Sequence, residues 1–139
     1  MTSTKLDNLV RIGQLKREPP RADELAGLKR SARSRLADAQ RADLAFESRF
    51  DLAYNAAHAL ALYALRRMGY RSENRYLVFQ TLPETAQLAT GHWRVLAKAH
   101  DKRNLAEYEG YLERDDQLLA DVIAATRTLM DALNGKAAK

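Results

Sequence analysis

Cysteine is absent from the 139-residue sequence, which excludes disulfide staples and thiolate metal sites and suits a reducing compartment. There is no glycine-rich phosphate loop and no serine in a nucleophile elbow, so two common hydrolase signatures are missing. No glutamate precedes a histidine by three residues, so the Glu-x-x-His metal motif of helical bundles is also missing. Neither a metal nor a cofactor is expected. The opening residues, M-T-S-T-K-L-D-N, lack the apolar run of a secretory signal, and a cytoplasmic location without membrane attachment is expected.

What is present is a chain of one-domain length in which 23 basic and 18 acidic residues are interspersed, for a net charge of +5. That balance permits a nucleic-acid partner without requiring one. Residues 49–70, R-F-D-L-A-Y-N-A-A-H-A-L-A-L-Y-A-L-R-R-M-G-Y, dominate the organisation. From Phe50 to Leu65 this stretch is apolar on nearly every face, interrupted by Asp51, Asn55 and His58. A helix of that kind must be surrounded by protein. A bilayer span would need about 20 apolar residues without such interruptions. The three polar residues fall on one helical stripe, and polar groups inside a protein need partners.

The flanking segments read as further helices. One is expected over residues 4–17, ended by Pro19-Pro20. The next places Leu25, Leu28, Ala32, Leu36, Ala39 and Ala42 on a narrow apolar face. Its Lys29, Arg30, Arg33, Arg35 and Arg41 form either a solvated face or a binding patch. Asp43 is positioned to cap the central helix and Gly69 to end it. A loop is expected over residues 70–74, followed by two helical turns over 75–82 that Pro83 interrupts. Gly91 precedes and Gly110 closes a helix over residues 92–109. Asp115-Asp116 opens a last helix that Asn134-Gly135 stops, leaving residues 136–139 as a frayed tail. The fold class is therefore all-α: an antiparallel bundle of four to five helices over residues 21–135, preceded by a short helix and Pro-Pro linker over residues 1–20.

The helix over residues 92–109 carries a second polar stripe. Its apolar positions are Trp93, Leu96 and Ala97, then Leu105 further on; Arg103, seven residues after Leu96, points nearly the same way, and His100, Arg103, Asn104, Glu107, Tyr108 and, beyond it, Tyr111 extend along that side at spacings of three and four. An inward arginine is costly unless it is paired or lines a water-filled cleft. Two readings follow. In one, Asp51, Asn55 and His58 meet Arg103, Asn104 and Tyr108 in a buried network that fixes helix register. In the other, the two stripes line a cleft in which Arg103 holds a phosphate. Trp93 and the tyrosines are read as core rather than as stacking platforms for bases.

The run Tyr54-Asn55-Ala56-Ala57-His58-Ala59-Leu60-Ala61-Leu62, with Gly69 and a loop bearing Arg75 after it, resembles the second long helix of HEPN domains. Lys102-Arg103-Asn104-Leu105-Ala106-Glu107-Tyr108 resembles that family's signature, an arginine and a polar residue followed after four to six residues by a histidine. The opening Leu9-Val10-x-x-Gly13-x-Leu15-Lys16 with Pro19-Pro20 resembles the lead-in of some bacterial members. The resemblance implies a helical-bundle homodimer with a composite cleft at its interface. Active members are metal-independent endoribonucleases, often toxins or defence effectors, many paired with a nucleotidyltransferase antitoxin. Carried over, Arg103 would bind the scissile phosphate of RNA or a nucleotide and Asn104 would be its polar neighbour, with Tyr54, Asn55 and Glu107 contacting the ligand.

The sequence departs from that pattern where Tyr108 stands in place of the histidine. An unperturbed tyrosine exchanges protons poorly near neutral pH. His100 or His58 would have to serve as the acid/base. Otherwise the chain is a non-catalytic relative that binds RNA, a nucleotide or a nucleotidyltransferase partner.

Overall fold

A computed structural model describes residues 4–137. In chain order these form α1 (Thr4–Arg11), β1 (Lys16–Arg17), α2 (Ala22–Ala39), α3 (Phe46–Arg67) and β2 (Tyr70–Arg71), then α4 (Arg75–Gln80), α5 (Leu82–Thr85), α6 (Thr90–Glu109) and α7 (Asp116–Ala137). The fold is all-α apart from the two-residue antiparallel pair of β1 with β2, in the register Lys16 to Arg71 and Arg17 to Tyr70. No described helix is long and apolar enough to cross a membrane.

The stretch that is apolar all round does lie at the centre. Helix α3 contacts α2, α4, α5, α6 and α7, and its Phe50, Tyr54, Leu60 and Leu65 are fully buried. Alanines make the closest approach possible: Ala53, Ala57, Ala61 and Ala64 of α3, with Ala32 and Ala39 of α2, are all buried. Small side chains at a helix crossing shorten the distance between axes. From α7, Leu119, Val122, Leu129 and Leu133 complete the core, and the buried Thr126 satisfies its hydroxyl on the Val122 carbonyl at 2.6 Å.

Several boundaries differ from those the sequence suggests. Helix α1 stops at Arg11 rather than running to residue 17, because Gly13 takes a left-handed turn (φ +82°) that sends Leu15 into the core. The chain then enters β1, so the loop expected over residues 70–74 begins as its partner strand, β2. Asp43 caps nothing. Its carboxylate pairs with Arg41 at 2.8 Å, while Ala45 takes the N-cap position of α3 without a side-chain bond. Gly69 follows the end of α3 at φ +90°, as its capping role requires. Pro83 lies in the first turn of α5, where its missing N–H costs nothing, and Gly91 lies inside the first turn of α6. Asp115 caps α7 by accepting the Leu118 N–H at 2.9 Å. That helix passes through Asn134-Gly135 to Ala137, so this pair does not stop it; residues 138 and 139 of the expected tail lie outside the described residues.

Arg66, in the last turn of α3, is the largest fully buried side chain. Its guanidinium donates to the Glu24 carboxylate at 3.0 Å, to the carbonyls of Glu18 (2.8 Å) and Pro19 (3.1 Å) and to the Tyr70 carbonyl at 3.2 Å. The Pro-Pro segment is thus strapped over the end of α3. Tyr70 adds a bond from its hydroxyl to Asp7 at 2.6 Å, which ties α1 to β2.

Candidate functional site: a groove between the third and sixth helices

The two polar stripes do come together, but at the surface. Arg103 donates from Nε to Asp51 at 2.9 Å and from Nη1 to Glu107 at 3.4 Å. The side chain of Arg103 is 32% exposed and that of Asp51 54%, so the pair borders solvent and is not a buried network. An ion pair of this exposure contributes about 0–1 kcal/mol to stability. It borders an open cavity of about 520 Å³ walled by Phe50, Asp51, Arg103, Glu107 and Tyr111.

Tyr54 organises the chemistry beside it. The residue is 1% exposed, because α3 buries it against Phe79 of α4 (ring centroids 5.9 Å apart). Its hydroxyl lies 2.9 Å from Nδ1 of His100, and the two rings are stacked at 25°. The guanidinium of Arg103 stands 5.0 Å from the Tyr54 ring centroid and that of Arg75 stands 5.7 Å away, both within cation–π range. Arg75 also donates to Asn55 Oδ1 at 3.3 Å, while the Asn55 amide nitrogen donates to the Asp51 carbonyl. Tyr76, partly exposed, lies 5.9 Å from the His100 ring.

His100 is held at both nitrogens. Nε2 lies 3.0 Å from Asn104 Nδ2. An amide nitrogen only donates, so Nε2 accepts and the ring proton sits on Nδ1, facing Tyr54. Burial is the main cause that lowers the His100 pKa; the charge of Asp101 opposes it, and those of Arg75 and Arg103 add to it. The ring is therefore neutral at neutral pH. His58 packs edge-on against Phe79 at 5.9 Å. Burial, then the charges of Arg75 and His100, lower its pKa to about 4, which makes it a poor proton carrier at neutral pH.

Of the residues expected from the sequence, Arg103 and Glu107 line the cavity, and Tyr54, Asn55, His100 and Asn104 are linked beside it by the contacts above, with His58 behind them. Tyr108 is not among them. It is 92% exposed on α6, five residues past Arg103 and so well round the helix from it. Leu105 is 55% exposed because, nine residues past the buried Leu96, it lies on the opposite side of α6, and with Tyr108 and Tyr111 it forms an exposed apolar strip. Sequence reasoning gave Arg75 no role. It opens the short helix α4, directly after the N-cap Asn74, and only the packing of α4 on α3 and α6 brings it to Tyr54. Among the described residues, no group of three His, Asp or Glu side chains could hold a metal ion.

The fold is thus an all-α domain, apart from its one short strand pair, that sets Arg103 and Arg75 against the Tyr54 ring beside a cavity whose charged lining is Arg103 with Glu47, Asp51 and Glu107. No protein-family model matches the chain, and neither a curated protein nor a solved structure matches it.

Proposed function

We propose that this chain is a HEPN-like module that binds RNA or a nucleotide by its phosphate, at a groove centred on Arg103 and Arg75. The observation that carries this reading is the placement of both guanidinium groups against one buried tyrosine ring, beside a neutral histidine. Arginine suits phosphate because its planar donors can engage two oxygens at once. The Tyr54 ring fixes one side of each arginine and so reduces the ordering cost of binding. The exposed strip of Leu105, Tyr108 and Tyr111 at the groove's end supports a homodimer whose two grooves adjoin, since an apolar strip of this kind marks an interface. A nucleotidyltransferase is the heterologous partner this reading allows.

Binding without cleavage is the favoured form. Tyr108 stands away from Arg103, and the Nε2 lone pair of His100 is occupied by Asn104. The second reading, a metal-independent endoribonuclease, rests on His100, which would have to release Asn104 before taking a proton from a ribose hydroxyl. Purified protein, Arg103→Ala and His100→Ala are to be titrated with labelled single-stranded RNA and AMP in EDTA, with circular dichroism on each. The expected result is binding that weakens at least about tenfold in folded Arg103→Ala, as for loss of a charge-assisted contact. Unchanged affinity in that variant refutes the proposal. Cleavage in EDTA that His100→Ala abolishes replaces the binding form with the enzymatic one.

A further inference from the structure

Where the end of α2 meets α3 and α7, a second open groove, of about 760 Å³, runs along one face of α7. Three arginines line it, Arg49, Arg114 and Arg127, against a single acid, Asp116. Arg114 already engages that acid, with Nε at 3.0 and 3.2 Å from its two carboxylate oxygens. Two guanidinium charges are left with no acid opposed to them in the lining. Both are anchored on the end of α2. Arg49 donates from Nε to the Ala39 carbonyl at 2.9 Å, and Arg127 from Nη2 to Gln40 Oε1 at 2.7 Å. Gln40 is oriented in turn by its own amide nitrogen, which donates to the Leu36 carbonyl at 3.1 Å. Each anchor occupies one nitrogen. Nη1 and Nη2 of Arg49, and Nε and Nη1 of Arg127, have no hydrogen-bond partner among the described residues. The two Arg49 nitrogens stay within reach of water, and Arg127 is exposed.

We propose that this groove binds a small phosphomonoester with a flat apolar body, its phosphate taken by Arg49 and Arg127 and its body laid on Ala120, Ile123 and Ala124 of α7. Charge, donors and lining each bear on the choice. A phosphomonoester carries about −1.5 to −2 at neutral pH on three acceptor oxygens, which matches two guanidinium charges that each keep a pair of nitrogens for it. A carboxylate neutralises only one of the two, and an ammonium is repelled by both. The anchors on Ala39 and Gln40 hold the arginines in place, so binding spends less on ordering them. Ala120 and Ala124 are exposed and Ile123 half-buried, a strip of mostly small side chains against which a ring can lie. The volume falls within the roughly 300–1,000 Å³ of small-molecule sites. This site does not rest on the groove of Arg103 and shares no lining residue with its cavity.

Whole protein is to be titrated calorimetrically with 1-naphthyl phosphate, inorganic phosphate and 1-naphthoate, with the backbone amide NMR signals of residues 119–128 followed to locate the ligand. The expected result is saturable binding of the ester that shifts those signals, with inorganic phosphate and naphthoate each weaker by about tenfold or more. Arg127 is exposed, so Arg127→Gln leaves the fold intact. It should weaken the ester about tenfold, and Arg127→Lys, which keeps the charge without the planar fork, should recover part of that loss. Arg103→Ala, run in parallel, separates the two grooves. The proposal is overturned if the ester gives no saturable binding, if naphthoate binds as well as the ester, or if Arg127→Gln leaves the affinity unchanged. It is equally overturned if Arg103→Ala alone weakens the ester, which would place it in the other groove.

Discussion

Replacing Arg66 by alanine is the most informative test of how this fold is held. The guanidinium is removed from water almost entirely, with a side-chain exposure of 1%, and it serves the carboxylates of Glu24 and Glu18 and three backbone carbonyls. Alanine leaves those acceptors facing a void. Arg71 still reaches Glu24 and Glu18, each at 2.7 Å, so neither carboxylate is wholly abandoned, but the carbonyls of Glu18, Pro19 and Tyr70 lose the donor that Arg66 supplies. Breaking a buried ion pair by removing one partner costs about 3–5 kcal/mol. Of a total stability of about 5–15 kcal/mol, that is a large share. Urea denaturation followed by circular dichroism should show a loss of about 3–5 kcal/mol, and proteolysis under native conditions should open first at the Pro19-Pro20 strap. Glu24→Gln, which keeps the shape and the Arg71 contact, should lose less. A cost below about 1 kcal/mol for Arg66→Ala would falsify the view that this residue fastens the N-terminal segment to the bundle.

Other expectations follow from the same geometry. His58 has a folded-state pKa near 4 against about 6.5 when unfolded, so the unfolded state binds the extra proton between these values. Its contribution is fully present above about pH 6.5 and falls as pH drops toward 4, by up to about 1.4 kcal/mol per unit, and His58→Phe should remove that slope from pH-dependent denaturation. Glu24 works in the same direction. The hydrogen bond from Arg66 is the largest cause lowering its pKa, burial opposes, and Arg71 adds to the lowering, so its stabilisation is lost as pH falls below the ordinary carboxylate range. Gly69→Ala should cost about 1 kcal/mol through its positive φ alone, because an added Cβ meets nothing within 4 Å. Tyr108→Glu should leave monomer stability within about 0.5 kcal/mol but shift sedimentation toward monomer, and an unchanged mass would count against the dimer.

Much of the fold was legible because it is written in local pattern. The all-round apolar character of residues 50–65 required a central helix, and the glycines at 69 and 110 marked two helix ends that a left-handed residue closes. The polar interruptions at Asp51 and Asn55, and the stripe from His100 to Glu107, identified by spacing alone the two faces that form the groove. The absence of cysteine and of phosphate-loop and metal motifs narrows the chemistry that the sequence allows.

Tertiary structure decided whether those faces were inside or outside. A helical stripe has the same period whether it meets a neighbour or water, so spacing alone sets Arg103 on the side of Leu96, yet Leu96 is 1% exposed and the side chain of Arg103 32%. The difference depends on which neighbouring helix stands opposite each turn of α6. For the same reason Asp51 and Arg103 form a surface pair instead of a buried one. Arg75 joins Arg103 only because α4 folds back on α3, and Arg66, one more arginine in a basic last turn by sequence, becomes the buried clasp because a strap from residues 18–20 passes over it. Local periodicity is a property of a few adjacent residues. Burial and charge pairing are properties of distant ones, and only the folded chain brings those together.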